Sequence, residues 1–331
     1  MLKKRCSSAG HHSQPETILK GSALGGPYSS KVSPASPKGP ADSTVSSDQS
    51  QYLKGYRDGR YDGAEGIVAS LLPPLTILPE FSAADLIKEG FRQNADKLYP
   101  LLTVEQVYER LDEGIHAGRP LSLIRLGDGE LLTLAYGTVL QAGEADSFAS
   151  FLPYAGVPRP TPQLQSRLAE SIRRADLVGI PEARLPTYQG LLFPVLQHFG
   201  LPWRELCLTS SAINYMLQGA GLLLPLLQGR KVLVAGNKAE GLAEMLVAHG
   251  VLVTGVIRPV RGFEDVDAVV AQAEAVTASF DIALVAAGVP AVVICEQIAS
   301  RLGRTALDIG HLADKLASGE LQLQPVPRST Q

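Results

Sequence analysis

A chain of 331 residues, 45% of them hydrophobic and with a net charge of −3, can bury the core of one large α/β domain with an appendage, or of two small domains. It lacks the basic excess that draws a protein to nucleic acid or an anionic membrane. Three well-separated cysteines, Cys6, Cys207 and Cys295, show no metal-ligand spacing and suggest neither a disulfide framework nor a zinc module, which fits a reducing compartment.

In chain order, residues 1–50 are rich in Ser, Pro and Gly, and carry six Lys/Arg against three Asp/Glu. Such a segment buries too little apolar surface to offset its ordering entropy, so it reads as a disordered tail. Its basic start (Lys3, Lys4, Arg5) precedes no apolar stretch and is not a secretory signal. In the stretch 51–81, Gly55, Gly59 and Gly63 recur every four residues. On a helix they form one stripe, a surface for self-association or docking. Each glycine costs a helix about 1 kcal/mol, so a flexible linker is the competing reading. The apolar runs Leu71–Leu78 and Leu222–Leu227 are broken by prolines and fall short of the roughly 20 residues of a membrane-spanning helix. A soluble cytoplasmic protein is the expectation.

Regular patterning begins near residue 82 and runs to about 318, leaving a short tail at 319–331. Ser82 is placed to cap a helix reaching about Leu98. Thr103, with Gln106 three residues on, opens a second helix in capping-box style, which Pro120 ends. LSLIRL (121–126) reads as a buried strand, Thr161-Pro162 opens a helix to Ala175, and LVGI (177–180) is a short strand. The second half alternates: strands at 231–236, 251–257, 281–288 and 305–310, with helices at 239–250, 264–278 and 291–302 between them. Near-continuous Val/Ile/Leu strands between helices indicate a mostly parallel α/β sheet with helices on both faces. Ligands of such sheets bind at the carboxyl ends of the strands.

Four segments carry candidate chemistry. At the end of strand 121–126 stand Arg125, Gly127, Asp128 and Glu130. In locally extended backbone, side chains two apart point the same way, so Asp128 and Glu130 would reach one Mg²⁺ or Mn²⁺, and Arg125 a phosphate. The bland alternative is a polar turn in which Asp128 caps the next helix. Gly236, Asn237 and Lys238 lie between a strand and a helix, where backbone N–H groups attract phosphate. Asp308 and His311 end the last strand, His311 as base, hydrogen-bond donor or capping group. Ser211, in the Thr209–Ser211 run, is a phosphate ligand or a helix cap, and Arg258 is a further phosphate candidate. Neither a Walker A motif nor the G-x-G-x-x-G fingerprint occurs.

Together, SLIRLGDGEL (122–131), GRKVLVAGNKAEG (229–241) and ALDIGHLADKL (306–316) resemble the GT-D fold glycosyltransferases, a former domain of unknown function. GYRDGRYDGAEG (55–66) resembles the Gly/Tyr-repeat-bearing group of that family found in spore-forming Bacillales. The resemblance implies a Rossmann-like catalytic domain using a nucleoside-diphosphate sugar, often a UDP-sugar, with Mn²⁺ or Mg²⁺. It maps the family's Asp-x-Glu metal motif onto Asp128 and Glu130. The expected reaction is sugar transfer to a hydroxyl of a glycan or glycoprotein. The alternatives are a Rossmann-type oxidoreductase or methyltransferase, and a non-catalytic scaffold.

Overall fold

The computed structural model describes residues 47–148 and 150–324. The tail read at 1–50 lies outside them as far as residue 46, as does Cys6; so do the last seven residues of the chain. The chain divides into two units between Pro100 and Leu101.

The first unit contains α1 (Ser47–Arg60), a single π-helical turn at Tyr61–Glu65, α2 (Gly66–Leu71) and α3 (Ala83–Gln93). Ser82 caps α3 as its sequence predicts. Its hydroxyl accepts the Asp85 N–H at 3.2 Å, and the Asp85 carboxylate accepts the Ser82 N–H at 3.2 Å, closing two otherwise orphaned donors. α3 ends before Leu98 because Asn94 Nδ2 turns back onto the Gly90 carbonyl at 2.7 Å. Among the described residues, nothing lies within 4 Å of a Cβ built on Gly55, Gly59 or Gly63. α3 groups with this unit, so the sheet-bearing unit starts at Leu101 and not near Ser82.

The second unit is built on seven strands: β1 (Ser122–Arg125), β2 (Leu177–Ile180), β3 (Leu208–Ser210), β4 (Lys231–Gly236), β5 (Leu252–Ile257), β6 (Ile282–Ala286) and β7 (Thr305–Asp308). They form one sheet in the order β3-β2-β1-β7-β6-β4-β5, parallel throughout. The intervening helices are α4 (Val104–His116), α5 (Asp128–Ala135), α6 (Ala142–Phe148), α7 (Pro162–Arg174), α8 (Gln189–His198), α9 (Ile213–Gly219), α10 (Leu223–Leu227), α11 (Ala239–Ala248), α12 (Val266–Ala275), α13 (Pro290–Leu302) and α14 (Leu312–Ala317).

Successive strand residues face opposite layers. Ile124 and Leu126 pack with α5, α7, α8, α12 and α13, whereas Leu123 packs with α4, α9, α10, α11 and α14. Burial on both faces explains why the strands read as unbroken aliphatic runs. The last strand, β7, is inserted in the middle of the sheet, where Leu307 pairs with both Leu123 and Leu284. The chain leaves β1 into α5 on one face and leaves β7 into α14 on the other. Such divergence opens a crevice at the carboxyl ends of adjacent strands. Among the described residues, no helix is long and apolar enough to cross a membrane.

Candidate active site

Arg125, the last residue of β1, points into the crevice between β1 and β7 but is not free to bind a ligand. Its Nε donates to the Asp308 carbonyl at 3.1 Å and its Nη2 to Asp308 Oδ1 at 3.0 Å. Its Nη1 donates to the Ser211 carbonyl at 3.1 Å and to Asn214 Oδ1 at 3.4 Å. Asn214 in turn donates to the Ile309 carbonyl at 2.7 Å. The guanidinium therefore ties the ends of β1, β3 and β7 together. This corrects the phosphate-binding role expected for Arg125: four of its donor directions are used inside the protein. Burial raises the Asp308 carboxyl above the usual carboxylate range, and the Arg125 charge and hydrogen bond pull it back. Asp308 is thus a partner of Arg125, placed to position the turn. Gly310 is required beside this pair: its φ is +50°, and a Cβ there would collide with the Arg125 guanidinium.

The backbone beyond β1 is not extended across the acidic pair. α5 begins at Asp128, directly after Gly127. On a helix, side chains two apart leave the axis about 200° apart, so Asp128 and Glu130 cannot converge on one point by the extended-backbone route expected for them, and only a bend of the longer Glu130 side chain brings its carboxylate back toward the turn. Glu130 folds back instead, and its Oε2 accepts the Gly127 N–H at 2.7 Å. Asp128 Oδ1 accepts the Gly129 N–H at 2.9 Å. Each carboxylate thus spends one oxygen on the turn and keeps the other. Glu130 is partly buried, and its pKa is pushed up to about 7, first by burial and then by the negative charge of Asp308; the Gly127 N–H and Arg125 work in the opposite direction. No group of three or more His, Cys, Asp or Glu side chains forms a metal cage among the described residues. Two carboxylates with spare oxygens do suit Mg²⁺ or Mn²⁺, ions that complete their shell with water and phosphate oxygens.

The β4 turn lies on the same edge of the sheet, but β7 and β6 stand between it and β1. Three strand spacings put the two turns about 14 Å apart. Gly236 has φ +148°, and a Cβ there would sit 2.3 Å from the Ala286 carbonyl oxygen of β6. Asn237 Oδ1 accepts the Val260 N–H at 3.0 Å and so holds the loop after β5. Lys238 is exposed at the start of α11. Arg258 pairs with Glu240 at 2.5 Å on the surface.

Ser211 contributes its backbone, its N–H donating to the Ile180 carbonyl at 2.8 Å and its carbonyl accepting from Arg125. His311 lies at the rim, its Nδ1 3.0 Å from Asp314 Oδ2. Its ring runs parallel to that of Tyr154, 6° between planes and 6.3 Å between centroids. Tyr154 and Asn214 are the site residues that the sequence does not single out. Neither belongs to a motif, and only the fold brings them to this edge. Cavities of about 380 and 300 Å³ beside Tyr136 and Arg159, at the far end of α5, are lined by none of the candidates.

Comparison with known proteins gives one family and three structural likenesses. Residues 102–316 match the family described as the GT-D fold-like domain. A solved glycosyltransferase (DUF1792) from Streptococcus sanguinis is 18% identical, with a TM-score of 0.46 over 71% of this chain and 88% of that one. A selenomethionine-substituted DUF1792 domain is 16% identical, with a TM-score of 0.43 over 70% of this chain and 84% of that one. A further structure, described as DUF1792 with a distinct glycosyltransferase fold, is 16% identical, with a TM-score of 0.42 over the same shares. No curated protein matches the chain.

Proposed function

Because the chain belongs to the GT-D-like family of glycosyltransferases, we propose that it moves a sugar from a nucleoside-diphosphate sugar, with a UDP-sugar as the expected donor, to a hydroxyl of a glycan or glycoprotein. The supporting observation is the turn after β1. It lies at the point where the connections diverge, and it presents two carboxylates, each with an uncommitted oxygen, on a backbone locked by Arg125. Asp128 and Glu130 would hold Mn²⁺ or Mg²⁺ there. Such an ion supplies neutralisation of the charge that develops on a departing diphosphate.

The protein's own groups divide the remaining work. Arg125 and Asp308 keep the turn rigid. Lys238 is exposed at the β4 turn on the same edge, where a sugar hydroxyl of the donor would meet it. Asp308, committed to Arg125, is set aside as the proton acceptor for the attacking hydroxyl. The family match favours this reading over an oxidoreductase, a methyltransferase or an inert scaffold.

The test is calorimetric titration with UDP and UDP-sugars, with and without Mn²⁺, on wild type and Asp128→Ala. The reading predicts Mn²⁺-dependent binding and turnover that the substitution removes. Intact metal-dependent turnover in Asp128→Ala would sink the assignment of this turn.

A further inference from the structure

The geometry points to Tyr154 and His311 as an aromatic clamp for the base of the donor nucleotide, an inference that rests on the sugar-nucleotide reading above. The two rings come from segments distant in sequence and meet at the mouth of the crevice. Tyr154 is 80% exposed and the His311 side chain 72% exposed, so burial does not account for either ring. Their backbones are nonetheless firmly held. The segment around Tyr154 is bracketed by buried Leu152 and Val157, and Val157 N–H donates to the Leu152 carbonyl at 2.9 Å. The Ala155 carbonyl accepts the Val289 N–H at 3.1 Å, and the Gly156 carbonyl accepts the Phe263 N–H at 3.1 Å. His311 follows Gly310 directly and is oriented through Nδ1 by Asp314.

Both rings are one residue away from groups that touch the β1 turn. Ala155 Cβ lies 3.8 Å from a Cβ built on Gly129, between the two carboxylates, and Gly310 packs against the Arg125 guanidinium. A ligand whose diphosphate is held at Asp128 and Glu130 through a divalent ion therefore has the parallel rings beside it. A flat heterocycle in contact with two faces needs about 7 Å between them, twice the ~3.5 Å contact distance. The ring centroids stand 6.3 Å apart with 6° between the planes, a parallel pair of exposed side chains that a base entering between them would spread. Stacking of a base on an aromatic ring is sequence-tolerant and strong, so the clamp would add affinity while the turn beyond β1 handles the diphosphate.

The experiment measures affinity for UDP, UDP-glucose and inorganic pyrophosphate in Mn²⁺ on wild type, Tyr154→Ala and Tyr154→Phe. The clamp predicts that Tyr154→Ala loses about tenfold or more for UDP, keeps wild-type affinity for pyrophosphate, and that Tyr154→Phe restores UDP binding, as base stacking of this size implies. Unchanged UDP affinity in Tyr154→Ala overturns the clamp and leaves the donor reading standing. Equal losses for UDP and pyrophosphate overturn it in favour of a role in shaping the turn. A loss for UDP-glucose well beyond that for UDP overturns it in favour of contact with the sugar. If wild type binds pyrophosphate but neither UDP nor UDP-glucose, the uridine donor reading falls and the clamp with it.

Discussion

The turns after β1 and β4 occupy the same edge of one sheet and are built in opposite ways. The β1 turn is held by side-chain electrostatics: a half-buried guanidinium bridges three strand ends, and two carboxylates cap their own backbone. The β4 turn is held mainly by steric exclusion: Gly236 lies against the Ala286 carbonyl, Asn237 ties down the loop after β5, and the Lys238 side chain is outside. The first arrangement fixes charge in position, as a reaction centre needs. The second leaves an exposed lysine, Lys238, beside the turn.

Replacing the guanidinium tests this contrast most severely. Arg125→Ala strands Asp308 as an unpaired buried carboxylate, and a loss of about 3–5 kcal/mol in folding stability is expected from denaturant titration. A loss below about 1 kcal/mol would show that the pair is not the brace of the β1 turn. Gly236→Ala should cost about 2–4 kcal/mol, since it adds a clash with backbone to a strained φ; a neutral result would mean that the β4 turn is not sterically defined. The smallest effect concerns pH. The Glu130 carboxyl titrates near 7 in the folded chain against 4.5 for a free glutamate. The folded protein therefore holds a proton that the unfolded chain has released between those values, so stability falls as pH rises from about 4.5 to about 7 and levels off above. Without divalent ions this slope should amount to on the order of 1–3 kcal/mol and should vanish in Glu130→Gln. A wild-type slope that survives the substitution would place the titrating group elsewhere.

Much of this was legible in the residues because it is local. The capping boxes at Ser82–Asp85 and Thr103–Gln106 and the aliphatic runs of β4, β6 and β7 depend on neighbours a few positions away. The glycine-flanked acidic turn was legible as well, though its geometry was not. Glu130 stands three residues after Gly127, where a capping-box acid belongs, and the missing side chain at Gly127 hides the helix start. β3 escaped notice because three buried residues between a 3₁₀ turn and a helix give too short a period to detect. Asn214 and Tyr154 act through partners roughly a hundred residues or more away, and no local pattern encodes such a meeting.

The central position of β7 also sets an order of events during synthesis. The ribosome delivers this strand after all the others, yet β1 and β6 pair with it on either side. Until it emerges, the growing chain holds two partial sheets, β1–β3 and β4–β6, each with an open aliphatic edge. Arg125 likewise waits for Asp308. A product truncated before residue 305 would therefore be sticky, and completion of the candidate site coincides with the closing of the last edges between the two halves.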